Sequence, residues 1–383
     1  MSDAFPSLSQ WCTRQYPEHL ALLKQLAAIP APSHHEERRV AFIRDWLLAQ
    51  GAAQVLTDRA QNVILPFGCD GRDDISVYTA HTDIVFPDTE PLPVEERDGT
   101  LCAPGVGDDT ANVAALMLCA KYLLRHIPRE PVMLVFNSCE EGLGNLKGIR
   151  QLLSDYAGRV RQVVSFDLTW STLVTRAVGS QRWRVRATTC GGHSYNAFGS
   201  PSAIACLAEL VTALYRQPLP DVPDQKTTYN VGTIQGGTSI NTIAQEAELT
   251  YEYRSDDRAC LDQMRRQFLA LVEGRQSPQA QFELTPIGDR PCGGLVEPDA
   301  LSALLSRCSG AVERVTGTTP TPCSLSTDAN LPLSLGIPAT TVGLYQGAGE
   351  HTRQEYVRLD SLTPGLQIAL ELLTPHFIPK TFP

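Results

Sequence analysis

Four short apolar runs rich in β-branched residues recur along this chain and limit the folds it can adopt. They are residues 74–80 (DISVYTA), 130–138 (EPVMLVFNS), 162–168 (QVVSFDL) and 338–344 (PATTVGL). Runs of this length and composition are typical of strands that are buried on both faces. Stretches with helical spacing, such as TANVAALMLCAKYLLRH, separate them. The alternation predicts an α/β sheet with helices on its faces.

The section from about residue 179 to 292 follows a different pattern. QRWRVRATTC and AELTYEYRS alternate apolar with polar residues, as half-exposed antiparallel strands do. Two helix-like stretches and a final strand, QAQFELTPI, complete a small α+β unit of order β-α-β-β-α-β. We therefore expect residues 1–178 and 293–383 to form one domain and residues 179–292 to be inserted into it.

The chain has 383 residues, which exceeds the ~250–300 at which single hydrophobic cores tend to split. Hydrophobic residues make up 43% and charged residues 19%, a globular composition. The formal charge of -10 argues against a nucleic-acid partner. The first twenty residues lack the pattern of a signal peptide, and the apolar run VAALMLCA is too short to span a membrane. Eleven cysteines without a CxxC pair fit buried, reduced thiols in the cytoplasm.

Residues 32–51 (PSHHEERRVAFIRDWLLAQG) predict an amphipathic helix. Ser33 and Glu36 have the spacing of a capping box, and Gly51 marks the end of the helix. His34 and His35 would then lie in its first turn. Because they lack a regular ligand spacing, we interpret them as part of a solvated face and not as a metal site.

Acidic residues and histidines cluster at the ends of the predicted strands. They are His81 and Asp83 after the first strand, Asp108 and Asp109 before the next helix, Glu140 and Glu141 after the second strand, Asp167 in the third, and His351 after the fourth. Sites in α/β sheets form beyond the carboxyl ends of the strands, so these side chains are expected to converge. Each motif alone has a simpler interpretation as a cap or a surface pair. Their common position at strand ends indicates a site.

Imidazoles and carboxylates without a thiolate suit zinc, manganese or cobalt. So many acids would repel one another without a cation, and their number fits two metals that share a carboxylate. In the pair Glu140–Glu141, one residue can bind metal while the other acts as a base. Motifs of other chemistries are missing, with no GxSxG, Walker or HExxH sequence. Cys190 beside His193 is a weak candidate for a nucleophile.

From about residue 25 onward the chain resembles the zinc amidohydrolases and exopeptidases that include peptidase T, bacterial di- and tripeptidases, carboxypeptidase G and aminoacylase. The matching segments are HTDIVFPD, GVGDDTANVAAL, SCEEGLGNLKG, GGHS, GGTSINTI, YRSDD, STDANLPLSLGIPATTVG and GEHTRQEYV. The resemblance implies a zinc-exopeptidase (phosphorylase/hydrolase-like) α/β catalytic domain. It also implies an inserted α+β, ferredoxin-like lid and dimerisation domain, and hence a possible homodimer.

The same resemblance assigns the metal ligands. Asp108 would bridge two divalent metals, with His81 and Asp167 completing one site and Glu141 and His351 the other. Zinc is the expected metal, and manganese and cobalt are alternatives.

The remaining roles also follow from the resemblance. Glu140 would be the general base, and Asp83 would orient His81. In the inserted domain, His193 would steady the oxyanion, while Asn241 and Arg254 would hold the carboxylate of a small peptide substrate. The simpler interpretations are a turn residue for Asn241 and a solvated strand end for Arg254.

Two features bear on specificity. Thr110-Ala111 stands where the family usually has Lys-Gly, which puts the substrate-side contacts of the next helix in doubt. Asp167 is typical of members that act on dipeptides or at a free amino end, which favours a di- or tripeptidase or an aminopeptidase. An N-acyl amino acid deacylase or a carboxypeptidase is the alternative. A protein that keeps the fold but only binds is a third, of another class.

Overall fold

The computed structural model describes residues 7–379. They form two compact units. The first unit contains the described residues before Ala177 and from Leu295 onward, and the inserted unit is Ala177–Gly294.

The helices are α1 Leu8–Ala28, α2 Glu37–Ala49, α3 Asn112–Leu123, α4 Lys147–Asp155, α5 Ala203–Leu214, α6 Arg258–Glu273, α7 Pro298–Thr316, α8 Asn330–Ser334 and α9 Leu362–Leu373. Local sequence sets several of their ends. Ser7 and Gln10 form a reciprocal capping box at the start of α1. Pro298 opens α7, and Gly317, with φ 72°, ends it in the left-handed region.

The strands are β1 Leu56–Thr57, β2 Val63–Phe67, β3 Ile75–His81, β4 Glu95–Arg97, β5 Thr100–Cys102, β6 His126–Pro128, β7 Val132–Asn137, β8 Val160–Ser165, β9 Thr172–Ala177, β10 Gly179–Thr189, β11 Gly192–His193, β12 Thr227–Gly236, β13 Thr242–Ile243, β14 Glu246–Ser255, β15 Ala280–Arg290, β16 Thr321–Leu325, β17 Ala339–Thr341, β18 Gly347–Ala348, β19 Tyr356–Arg358 and β20 Phe377–Pro379.

A six-stranded sheet of order β1-β2-β7-β3-β8-β17 forms the centre of the first unit. The four predicted apolar runs are its strands β3, β7, β8 and β17, and they pair in parallel. Strands β1 and β2 extend the sheet in antiparallel pairing. Because β3 lies between β7 and β8, the carboxyl ends of these three strands are adjacent at one edge of the sheet.

Helix α3 explains how that edge is supported. Nearly all of its side chains are buried, since it packs against α1 and α9 and on the sheet. A helix that is apolar all round belongs in a core. Its amino end continues a tight turn over Val106–Ala111, which carries the predicted acidic pair Asp108–Asp109.

The inserted unit is the predicted β-α-β-β-α-β arrangement, made of β10, α5, β12, β14, α6 and β15. Its sheet has the order β12-β14-β10-β15 and is antiparallel throughout. Strand β14 alternates buried and partly exposed side chains, as predicted for a sheet with one covered face. Together with the first unit, this confirms the predicted fold class.

The prediction for the start of α2 was wrong. The helix begins at Glu37, so His34 and His35 precede it, and His34 has φ 73°. Ser33 makes no cap because its hydroxyl donates to Asp83 Oδ2 at 2.7 Å. Glu36 occupies the cap position without a side-chain cap bond, and its carboxylate accepts the Cys139 amide at 2.9 Å.

Most of the cysteines are buried as predicted, including Cys12, Cys119 and Cys308. Within residues 7–379, helices that combine the length and the apolar character needed to cross a membrane do not occur.

Candidate metal centre

His81 is the last residue of β3 and is 1% exposed. Its Nδ1 lies 3.0 Å from the backbone oxygen of Asp83 and 3.4 Å from Asp83 Oδ1. Because a carbonyl can only accept, the Nδ1–H donates to it, and in the neutral ring Nε2 is left unprotonated. Asp83 thus orients this imidazole mainly through its main chain, and Nε2 points to Asp108 Oδ1 at 3.0 Å.

The carboxylate of Asp83 binds other parts of the chain. Its two oxygens accept the amides of Glu140 and Glu141, both at 2.9 Å, and the Ser33 hydroxyl at 2.7 Å. These bonds join the end of β3 to the segment that follows β7. Burial opposes the ionised form, but His81, the Ser33 hydroxyl and the Glu141 amide together outweigh it, so the pKa of Asp83 is lowered.

Asp108 lies between the two predicted histidines. Its Oδ1 is 3.0 Å from His81 Nε2, and its Oδ2 is 3.1 Å from His351 Nε2. The same nitrogen of His351 is 3.1 Å from Glu141 Oε1. A carboxylate with one oxygen turned to each histidine has the placement of a bridging ligand.

Three groups of possible ligands share members. They are His81, Asp108 and Asp167; Asp108, Glu141 and His351; and His81, Glu140 and Glu141. Within each group the ligand atoms lie within 4.8 Å of one another. The structure therefore brings together the predicted ligands His81, Asp108, Glu141, Asp167 and His351, with Glu140 beside them.

The acids of the cluster are buried close together, and their mutual repulsion favours bound cations. Burial, reinforced by Asp108, raises the pKa of Glu141 to about 7 and that of Asp167 well above its usual range. Hydrogen bonds to Asp108 and Glu141 raise the pKa of His351 to about 11. Burial opposes protonation of His81, yet the surrounding acids raise its pKa well above the usual value. These shifts show that the buried acids repel one another without a cation, and the set of imidazoles and carboxylates fits two divalent cations.

Asp109 does not join the ligands and instead organises the backbone. Its Oδ2 accepts the His81 amide at 2.8 Å, and its Oδ1 accepts from Asn112 Nδ2 at 2.5 Å. Asn112 Oδ1 in turn accepts the Leu344 amide at 2.8 Å. The second acid of the pair therefore ties β3 to the start of α3.

Two buried carboxylates near the cluster were not singled out from the sequence. Asp328 accepts from Asn137 Nδ2 at 2.6 Å, and burial together with Glu140 raises its pKa to about 7. Glu355 accepts three backbone amides of residues 105–108. Both lie in the segments STDAN and GEHTRQEYV, which the resemblance had marked, and no local pattern indicated a role.

Arg39 is a fully buried cation that supports the same region. It donates to Thr82 O at 2.9 Å and to Thr110 Oγ1 at 3.2 Å. Thr110, the residue that departs from the family pattern, donates to Gly105 O at 2.5 Å. The substituted position is thus buried in the support of the loop. Burial lowers the pKa of Arg39 to about 10, against the attraction of nearby acids.

The inserted unit places His193 and Asn241 on one small ribbon of β11 and β13, where the Ser194 amide donates to Asn241 O at 2.9 Å. Both residues are exposed. His193 Nδ1 accepts the Tyr195 amide at 3.3 Å, which leaves Nε2–H as a donor in the neutral ring. The Ser239 hydroxyl donates to Asn241 Oδ1 at 2.8 Å, which leaves its amide NH₂ as a donor.

Arg254 lies in β14, away from that ribbon in the chain. Its Nε and Nη2 donate to the two oxygens of Glu252 at 3.0 and 3.1 Å. The planar fork that would hold a substrate carboxylate is therefore occupied by an internal carboxylate.

Comparison with known proteins places this geometry in context. A family model described as Peptidase family M20/M25/M40 matches residues 77–374. A putative succinyl-diaminopimelate desuccinylase of Mycobacterium tuberculosis is 26% identical over 365 residues, covering 91% of this chain and 96% of the relative.

Two solved structures share the fold. A tripeptidase of Staphylococcus aureus has a TM-score of 0.74 at 20% identity, covering 94% of this chain and 98% of that chain. A dinuclear metal binding peptidase of Bacillus subtilis has a TM-score of 0.63 at 18% identity, covering 94% and 98%.

Proposed function

This chain belongs to peptidase family M20/M25/M40, and from that premise we propose that it removes residues from small peptides with a free amino end. Membership makes it a metal-dependent hydrolase of peptide or amide bonds. The observation that supports the proposal is Asp108, whose two carboxylate oxygens face His81 and His351.

In this proposal His81, Asp108 and Asp167 hold one divalent cation, and Asp108, Glu141 and His351 hold the other, with zinc as the expected metal. When bound, the cations supply Lewis acidity that polarises the scissile carbonyl and acidifies a water molecule. Residues other than the ligands carry out the proton transfers.

Glu140 is the proposed general base. Its amide donates to Asp83 Oδ1, and its carboxylate lies in one group with the His81 imidazole and the Glu141 carboxylate. It takes the proton of the attacking water and returns it to the leaving amine. Because Glu140 is only 4% exposed, bulk water does not compete for that proton.

The inserted unit supplies the proposed contacts to substrate. His193 Nε2–H is a donor suited to the tetrahedral oxyanion, and the NH₂ of Asn241 is suited to the terminal carboxylate. Arg254 can add a charge to that carboxylate only if its pair with Glu252 is exchanged for the substrate.

Asp167 favours a peptidase, while the desuccinylase relative keeps a second candidate open, an N-acyl amino acid deacylase of the same fold. A substrate panel separates them: free di- and tripeptides, amino-blocked peptides and N-acetyl amino acids, each with Zn, Mn or Co and with a chelator. We expect metal-dependent cleavage of the peptides with a free amino end. Cleavage confined to blocked or acylated substrates would contradict the peptidase proposal and support the deacylase. Two bound metals with no turnover of any substrate would support the non-catalytic alternative.

We also propose a homodimer formed through the inserted unit, as the resemblance implied. Light scattering of the full chain and of a variant with a charge on the exposed face of α5, such as Ile204→Glu, tests it. Ile204 is 44% exposed, so its replacement leaves the fold intact. A monomeric full chain would contradict this proposal.

A further inference from the structure

Glu355 makes an unusual set of contacts for a carboxylate. Its Oε2 accepts the Gly105 amide at 2.8 Å, and its Oε1 accepts the amides of Gly107 and Asp108, both at 2.7 Å. Glu355 is 1% exposed, so water does not compete for these bonds. Three hydrogen bonds from one turn to a single buried carboxyl group give a directional restraint on its backbone.

The turn that Glu355 holds cannot satisfy these amides by itself. Residues 105–108 lie at the start of the turn Val106–Ala111, and the first backbone amides of such a turn have no partner within it. Gly105 has φ 68° and packs so closely on Ile84 that a Cβ would not fit. Gly107 is equally confined, since a Cβ there would lie 2.5 Å from the Tyr345 hydroxyl. The side chain of Glu355 therefore serves as the acceptor for a turn fixed on its other sides.

Glu355 is itself held by strand pairing. Its backbone oxygen accepts the Ala103 amide at 3.2 Å, and the next residue, Tyr356, pairs with Cys102 in β5. His351 lies four residues before Glu355 in the chain. Its side chain is 57% exposed, and its own φ is 63°. One carboxylate thus links the segment that carries His351 to the turn that carries Asp108.

We propose that Glu355 is a positioning residue of the metal centre. By accepting hydrogen bonds from the backbone of residues 105–108, it holds the Asp108 carboxylate between His81 and His351. The inference rests on the proposed role of Asp108 as the shared metal ligand. Glu355 does not bind the metals, and it acts on their affinity through Asp108.

Glu355→Gln tests the role of these hydrogen bonds because it keeps the size of the side chain. An amide has one oxygen where the carboxylate has two, so its NH₂ group must face a backbone N–H donor of the turn. At least one of the three bonds is lost. Glu350→Gln is the matched control, since it makes the same substitution at an exposed residue next to His351 in the chain.

Hydrogen exchange of the metal-free proteins measures directly how well the amides of this turn are held by Glu355. We expect the amides of residues 105–108 to exchange at least tenfold faster in Glu355→Gln than in the parent or in Glu350→Gln, with the inserted unit unchanged. Equal exchange of this turn in all three proteins would overturn the inference. If Glu355→Gln does not fold, Glu355→Asp, which keeps the charge but shortens the reach, is measured in its place.

Metal titration then measures the effect of this change on Zn²⁺ affinity. Partners that orient metal ligands typically account for about 10–100-fold in affinity, and we expect a Zn²⁺ loss of that size in Glu355→Gln and none in Glu350→Gln. Parent-like affinity in Glu355→Gln would overturn the positioning role while leaving the proposed function intact. Failure of the parent to bind Zn²⁺ would overturn both.

Discussion

His81 in the first unit is 1% exposed, and each of its ring nitrogens faces a fixed oxygen. His193 in the inserted unit is exposed, and only its Nδ1 is engaged. The same contrast holds for the acids and amides around them: Asp83 is buried and accepts three bonds, whereas Asn241 stands on an exposed ribbon.

The contrast separates two kinds of functional residue. Side chains of the first unit are set in place by bonds from distant parts of the chain, so their geometry exists before any ligand binds. In the inserted unit, His193 and Asn241 are exposed and each keeps a donor group that can face a ligand, whereas Arg254 is paired with Glu252. Metal binding should therefore depend on the first unit alone, while turnover should depend on both units.

The largest expected effect is that of Glu140→Gln. Losing the proposed general base should lower kcat by about 10²–10⁴-fold, which is the usual contribution of such a group. The metal content should not change, as Glu140 is not a proposed ligand. Steady-state kinetics with metal analysis of the same sample checks both, and retained turnover would refute the base assignment.

His193→Ala sharpens the comparison from the other unit. Removing a donor to an oxyanion lowers kcat by about 10²–10³-fold, and Zn²⁺ affinity should stay at the parent value. Asn196→Ala, which changes an exposed residue in the turn after β11, is the control and should be fully active. A loss of metal affinity in His193→Ala would break the division of roles between the units.

Metal removal should destabilise the first unit selectively. At a free metal concentration of 100 times Kd, one bound ion adds about 2.7 kcal/mol to the free energy of unfolding. Hydrogen exchange with metal and with chelator should show this protection in the strands β3, β7 and β8. Equal protection of β10 and β14 would show that metal binding also stabilises the inserted unit.

The smallest expected effect concerns His19 in α1, whose two ring nitrogens lack a partner among residues 7–379. Burial lowers its pKa to about 4, below the unfolded value of 6.5. The unfolded chain therefore gains a proton first as the pH falls, and stability is lost from about pH 6.5 down to pH 4.

Between pH 7 and pH 5 this linkage amounts to about 2 kcal/mol. Urea unfolding of the metal-free protein should show that His19→Leu removes this part of the pH dependence, while the exposed His35→Gln keeps it. The inserted unit contains His193 as its one histidine, which is exposed, so its local stability should not follow the same course. An unchanged pH dependence in His19→Leu would contradict the prediction.

The strands, and the gathering of acidic residues and histidines at one edge of the sheet, could be predicted because their signals are local, whereas the assignment of ligands came from the family resemblance. Apolar runs identify β3, β7, β8 and β17, and parallel pairing then places the residues after them at one edge. Ser33 and Glu36 were misinterpreted for the opposite reason. Their partners, Asp83 and Cys139, lie 50 and 103 positions away, and a spacing rule does not detect such contacts.

Arg39, Asp328 and Glu355 escaped prediction on the same ground. In the sequence each looks like an ordinary surface charge, yet each is buried and bonded to a backbone or side chain far along the chain. Burial of a charge is decided by tertiary contacts, which neither periodicity nor composition records.

The first and last strands of the inserted unit, β10 and β15, are direct neighbours, with Ser180 paired to Arg290. The two ends of the inserted unit therefore lie close together. A segment whose ends are neighbours can be removed or inserted as a whole, because the order of strands in the central sheet does not depend on it.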